Sequence, residues 1–280
     1  EPPEKIWKVL LEAAHAEVRA GGGDGARSLL RSLMIRLPHQ GPIFCEACRI
    51  ECILGNWQAA LDIAKRGVQN CVKHGPLWFS LVRYTDKVHG AKAVSECVAA
   101  ALQKVCYELH WKFHFEAAAS FSREGNIEAS RQSIGAAALK CPKHLRWKVW
   151  LLASRSELWA GATDASRKLL ARARLDAPAR MQAYVCIEHA RTEEYVESLD
   201  EARDALMAAL SCEGHGWKVY LEHIFLEVRQ GCLPAAKTAA LSALELHPAT
   251  GRLWSALISL EHSGLEGIEV AMATCQKAAR

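Results

Sequence analysis

The sequence predicts an all-α chain, a right-handed α-solenoid of about eight antiparallel helix hairpins forming one domain over residues 1–280. Three observations predict it. A short motif recurs at intervals of 34 to 36 residues. Glycines fall at one place in the repeat and prolines at another. Alanine and leucine outweigh the β-branched residues, and apolar positions recur at helical spacing.

The motif is Trp-Lys-apolar, at Trp7-Lys8-Val9, Trp111-Lys112-Phe113, Trp147-Lys148-Val149 and Trp217-Lys218-Val219. Fourteen residues after each Trp stands a glycine: Gly21, Gly125, Gly161 and Gly231. Twenty residues after it stands a base: Arg27, Arg131, Arg167 and Lys237. Repeats are expected to start near residues 4, 41, 76, 110, 146, 181, 216 and 251, with Leu10, Phe44, Phe79, His114, Trp150, Tyr184, Tyr220 and Trp254 aligned. Gly55 and Gly90 mark two further turns; the sixth repeat has none, and its register is open by about three residues.

Each repeat reads as two helices. Trp147, Trp150, Leu151, Ser154 and Leu158 make one stripe of a first helix. Glycine then ends it in a left-handed conformation. Asp164 is the expected N-cap of the second helix there. Pro38, Pro142, Pro178 and Pro248 stop each second helix before the next repeat, and Pro234 suits a first helical turn. Trp150 and Trp254 are expected to be mostly buried.

Composition narrows function. Half the chain is hydrophobic, which excludes disorder, and no apolar run is long enough for a membrane span. Eleven scattered cysteines point to thiols in a reducing intracellular compartment rather than a disulfide framework. Residues 1–180 hold 27 Lys and Arg against 17 Asp and Glu, while residues 181–280 hold 8 against 14. The two halves therefore present opposite fields. The chain opens without Met and stops in a helical pattern, so it is read as an excerpt of a longer protein.

No nucleophile elbow, P-loop or dinucleotide motif is present, and the chain is read as a non-enzyme without cofactor, metal or small-molecule substrate. Cys45, Cys48 and Cys52 share a helix face but lack a fourth ligand; packing explains them. Packing likewise explains His110 and His114 among aromatic neighbours. Ten Lys and Arg against three acids mark residues 140–180. Within them Lys143, Arg146, Lys148, Arg167, Lys168, Arg172 and Arg174 are candidates for RNA phosphate or an acidic partner, with Arg167, Lys168, Arg172 and Arg174 expected on one surface. Lys8, Lys112, Lys148 and Lys218 are candidate groove lysines in first helical turns, where a lysine opposes the macrodipole unless an anion joins it. The last repeat carries Ile268, Val270, Ala271, Met272 and Ala273, apolar on more than one side, which calls for a cover.

An aromatic residue, a Glu seven positions on, and a base opening the second helix occur as Trp150/Glu157/Arg167 and Tyr220/Glu227/Lys237, and Trp254 is followed by Glu261. With Gly125, Gly161 and Gly231 these are the structural residues of the repeat. The pattern resembles the HAT (half-a-tetratricopeptide) repeat, close to ordinary tetratricopeptide repeats, over nearly the whole chain. Repeats three, four and six depart from it. Glu157–Arg167 and Glu17–Arg27 are expected to bond across their hairpins. The resemblance implies a protein-binding scaffold in RNA processing: splicing, 3′-end cleavage, ribosomal RNA maturation or organellar transcript stabilisation. It implies ribonucleoprotein partners, a homodimer, and a nuclear setting, with chloroplast, mitochondrion or cytoplasm as alternatives. Two further readings are direct RNA binding by the basic half and a tetratricopeptide cochaperone groove.

Overall fold

A computed structural model describes residues 3–213, 216–262 and 267–278. They form sixteen α-helices and no strand among the described residues. The chain divides into two compact units, Glu1–Pro142 and Lys143–Arg280. The first holds α1 (Pro3–Arg19), α2 (Gly23–Arg36), α3 (Gly41–Ile53), α4 (Trp57–Asn70), α5 (Gly75–His89), α6 (Ala91–Lys104), α7 (His110–Arg123) and α8 (Ile127–Lys140). The second holds α9 (Arg146–Trp159), α10 (Thr163–Asp176), α11 (Gln182–Tyr195), α12 (Leu199–Leu210), α13 (Trp217–Arg229), α14 (Leu233–Leu246), α15 (Gly251–His262) and α16 (Gly267–Ala278). Odd and even neighbours pair as hairpins. Within each unit every even helix also packs on the odd helix that follows. This is the α-solenoid class.

The hairpin turns show why glycine recurs. At Gly161 (φ 78°) the Gly161 N–H bonds to Leu158 O at 3.0 Å and the Ala162 N–H to Glu157 O at 2.9 Å. That pair satisfies the helix's last carbonyls but demands a left-handed residue. Gly21, Gly55, Gly125 and Gly231 make the same turn. In the sixth hairpin Glu197 fills the slot at φ 63°, with the Ser198 N–H on Glu193 O at 2.9 Å. Asp164 lies inside α10, whose N-cap is Ala162, so it does not cap.

From α3 on, the core follows one column of each first helix; in α1 that column holds Val9, which is exposed. Ile43, Leu77 and Phe113 of the first unit, and Val149, Val185, Val219 and Leu253 of the second, are almost wholly buried. The large aromatic residues beside this column vary: Phe44 is fully buried and Trp78 is 7% exposed. Trp150 and Trp254 are mostly buried, as expected, but stop short of full burial because each indole N–H seeks an acceptor at the rim. Trp150 Nε1 donates to Asp176 Oδ2 at 2.8 Å and Trp254 Nε1 to Pro248 O at 2.7 Å. Trp78 Nε1 donates to Val72 O at 2.7 Å, six residues back like Trp254. Trp78, not Phe79, therefore holds the aromatic slot of the third repeat. Placing Glu197 in the glycine slot likewise puts Cys186, not Tyr184, in the sixth.

Several buried or half-buried polar side chains bond across the helix seams. Cys48 Sγ donates to Ala60 O across the α3–α4 seam at 3.3 Å, and Cys45 and Cys52 are half-buried beside it. Lys140 Nζ donates to His114 Nε2 at 2.9 Å; burial first, then this ammonium, pushes His114 down to about 4. In α16, Ala271 and Thr274 are buried, Val270 is half-buried and Met272 is exposed. The side chain of Ile268 lies outside the described residues.

Candidate binding cleft

Two sets of ion pairs organise the second unit. The first joins partly exposed bases to buried carboxylates. Arg167 Nε and Nη2 of α10 donate to Glu193 of α11 at 2.8 and 2.5 Å. Arg203 of α12 reaches Glu227 of α13 at 2.8 and 3.1 Å, and Lys237 of α14 lies 3.5 Å from Glu261 of α15. In the first unit Arg27 of α2 reaches Glu51 of α3 at 2.9 and 3.1 Å. The pairs thus join successive hairpins. The expected bonds Glu157–Arg167 and Glu17–Arg27 are overturned, because the second helix turns its base toward the next first helix. The arginine bonds hold the Glu193 and Glu227 carboxyls below the usual carboxylate range.

The second set runs across first helices. Arg155 of α9 donates to Glu188 of α11 at 2.6 Å. Arg191 of α11 bonds Glu188 at 2.9 Å and Glu222 of α13 at 2.6 Å. Arg229 of α13 bonds Glu194 at 2.6 and 2.7 Å. Burial raises the Glu188 pKa, but Arg155 and Arg191 outweigh it and the net shift is down.

This ladder frames an open cleft of about 790 Å³. Trp147, Leu151 and Arg155 project from α9 at four-residue spacing, which puts them on one face. Tyr184, Ile187, Glu188, Arg191 and Glu194 come from α11. Trp217, Lys218, Leu221, Glu222, Phe225 and Arg229 come from α13, and Arg252 from α15. Tyr184 and Phe225 are 41% and 42% exposed, so the apolar floor is open to a ligand. Five cations meet three carboxylates along the walls, leaving the cleft net positive. The arrangement can seat an extended segment between aromatic faces and charged rims.

Of the candidate lysines, Lys218 lines this cleft. Its ammonium lies 5.8 Å from the Trp217 ring centroid and 5.5 Å from that of Tyr184. Lys148 lies 5.5 Å from the Trp147 ring, outside the cleft lining. Lys8 and Lys112 belong to the first unit, over Trp7 and Trp111. Lys8 is the sixth residue of α1, so it stands beyond the first turn where it was expected.

The basic stretch divides. Arg167 and Arg174 border a separate cavity of about 140 Å³ with Leu170, Val185 and His189. Lys168 and Arg172 stand roughly 100–140° further round α10. Arg172 lies 3.6 Å from Asp176. Lys143 is exposed on the turn Lys143–Leu145 and Arg146 is half-buried at the start of α9. Arg155 belongs to the basic stretch of residues 140–180; the ladder residues Glu188, Arg191, Glu222, Arg229 and Glu194, and the floor residues Tyr184 and Phe225, were absent from the sequence-based candidate sites. Their signal was a base–acid recurrence about one repeat apart.

The fold and this repeat geometry define a tetratricopeptide-like protein-interaction scaffold. The match with known sequences is more specific: the family model described as PRP6, TPR-like domain matches residues 1–280, and the chain belongs to that family. A TPR-containing protein of Dictyostelium discoideum is 48% identical over 276 residues, 98% of this chain. The chain spans 21% of that relative's length. Among solved structures, a tetratricopeptide repeat protein from Parabacteroides merdae superposes with a TM-score of 0.55 at 12% identity, covering 99% of this chain and all of the other. Yeast Tom70 superposes with a TM-score of 0.63 at 11% identity, covering 92% of this chain and 55% of the other. These structures share the fold. Among the described residues no helix is long and apolar enough to cross a membrane.

Proposed function

We propose that the chain is a protein-binding scaffold of a nuclear RNA-processing or ribonucleoprotein assembly, and that the cleft of its second unit holds a partner's segment. One observation carries the reading. Tyr184 and Phe225 stay open to solvent between arginines and glutamates that already neutralise one another. Exposed aromatic residues grouped on adjacent first helices are the mark of an interaction surface. The cleft walls hold guanidinium–carboxylate pairs rather than a nucleophile with a base, which favours binding over catalysis. Membership of the PRP6, TPR-like domain family and the HAT-like pattern support the RNA-processing setting. Direct RNA contact by the basic stretch draws less support, since Arg155, Arg167 and Arg172 face carboxylates.

The test compares the parent chain with a Tyr184→Ser, Phe225→Ser variant of matched helicity. Both are immobilised and exposed to nuclear extract with and without ribonuclease. The parent is expected to retain RNA-processing proteins after ribonuclease treatment, and the variant to lose them. Capture that survives both substitutions, or that vanishes with RNA, overturns the proposal.

A further inference from the structure

The ladder across the first helices has a fixed rhythm. Arg155 pairs with Glu188, and Arg191 with Glu222. One repeat further the same two columns hold Phe225 and Ala256. The ion pair gives way to an apolar pocket of about 430 Å³ between α13 and α15, walled by Ile224, Val228, Leu233 and Leu260. Phe225, Val228 and Leu233 remain 37–42% exposed there. A chain that solves this seam with ion pairs elsewhere leaves it open and apolar here.

The cleft beside the pocket is cationic: Arg252 lines both, and Lys218 lines the cleft. The Arg252 guanidinium lies 5.6 Å from the Trp217 ring and the Lys218 ammonium 5.8 Å from the same ring. Neither cation meets a carboxylate among the described residues. Both stand in the first turn of their helices, α15 and α13, where the macrodipole adds to their positive potential.

Resting on the reading of the cleft as a protein-binding site, we infer that its ligand is an acidic peptide segment with one bulky apolar side chain. The apolar side chain enters the pocket beside Phe225 and Leu260, and carboxylates lie against Lys218 and Arg252. Charge complementarity carries the choice: Arg252, which lines both pocket and cleft, and Lys218, which lines the cleft, meet aromatic rings but, among the described residues, no carboxylate. The pocket is of the size that encloses a large side chain. A nucleic-acid strand fits less well, because Glu188, Glu194 and Glu222 line the same cleft and would face its phosphates.

Fluorescence anisotropy with the whole chain tests this, using short synthetic peptides. One is glutamate-rich with a central Leu-Phe; a second has Gln for each Glu; a third has Ser for Leu-Phe; a fourth is lysine-rich with Leu-Phe. The first is expected to bind tightest, to weaken with salt, and to lose about tenfold on either replacement. A Lys218→Glu, Arg252→Glu variant, checked for unchanged helicity, should lose the glutamate peptide and prefer the lysine one. Equal binding of the glutamate and glutamine peptides, or an unchanged preference in the reversed-charge variant, overturns the inference. So does an oligouridylate that binds more tightly than the glutamate peptide. Extract capture separates the two levels. Proteins lost by Tyr184→Ser, Phe225→Ser but kept by Lys218→Glu, Arg252→Glu would sink the acidic ligand and keep the scaffold. Proteins kept by both variants would sink both.

Discussion

Arg167→Ala should destabilise the second unit by about 2 kcal/mol, while Arg167→Leu combined with Glu193→Thr should restore most of the loss. Glu193 is 1% exposed and accepts both Arg167 bonds, at 2.8 and 2.5 Å. Removing one partner of a buried pair costs about 3–5 kcal/mol, because the other charge is left without compensation. Here Arg167 is 41% exposed and His189 Nε2 remains 3.1 Å from Glu193, so the loss falls to about 2 kcal/mol. The double replacement copies the chain itself. In the same two columns the first unit holds Leu61, fully buried, and Thr85, 7% exposed. With both charges gone, nothing is left unpaired, and the double variant should lie within about 1 kcal/mol of the parent. Urea denaturation followed by circular dichroism reads the totals. Hydrogen exchange in α10 and α11 localises them, since repeat arrays open locally. A single variant costing less than about 0.5 kcal/mol, or a double variant less stable than both singles, would refute the pairing argument.

Further outcomes follow from the same geometry. Glu197→Gly should stabilise by about 0.5–1 kcal/mol, since a left-handed L residue costs more than glycine's extra entropy; a lower Tm would remove Glu197 from the turn column. Leu253→Ala should cost about 3 kcal/mol, and Trp254→Phe about 1 kcal/mol or less, because Leu253 is fully buried and Trp254 loses mainly its bond to Pro248 O; the reverse order in denaturant midpoints would show that the core runs through the Trp254 column instead. Acid should weaken the second unit: Glu193 and Glu227 titrate below their ordinary 4.5, so their contribution is complete above that pH and lost as pH falls through the folded values. A urea midpoint that stays flat from about pH 5 to about pH 3 would contradict this. Burial raises the Cys48 thiol and pushes Cys186 up to about 11, so maleimide should label exposed Cys106 and Cys275 first and reach the other two on unfolding.

The helical hairpins were legible because turn chemistry is local. A left-handed C-terminal turn needs glycine almost everywhere, and Gly21, Gly55, Gly125, Gly161 and Gly231 announce it. The sixth turn was silent because Glu197 adopts the same conformation without glycine. The aromatic frame misled at Trp78-Phe79, where either residue fits the spacing. Burial and hydrogen bonding separate them: Trp78 is buried with its indole N–H on the Val72 carbonyl, while Phe79 is only half-buried. The same tension between size and hydrogen bonding kept the mostly buried Trp150 and Trp254 short of full burial.

The ion pairs between hairpins were written in the sequence but in a place local reasoning does not search. A Glu and an Arg of one repeat invite pairing across their own hairpin, yet the base serves the next repeat. The repeats that lack the acid show it. Thr85 and Phe121 stand in the acidic column, and the bases one repeat earlier are also missing, replaced by Leu61 and Ser95. A charge dropped together with its partner one repeat away marks contact, because keeping either alone would leave a buried charge unpaired. The same logic applied to the surface ladder points to function. At Phe225 and Ala256 both members change together, so the seam remains satisfied. They change to an aromatic residue left 42% exposed rather than to a packed pair. A purely structural replacement, such as Leu61 with Thr85, buries what it introduces. On the proposed reading of the cleft, one that leaves phenylalanine open to water beside Tyr184 serves the bound segment.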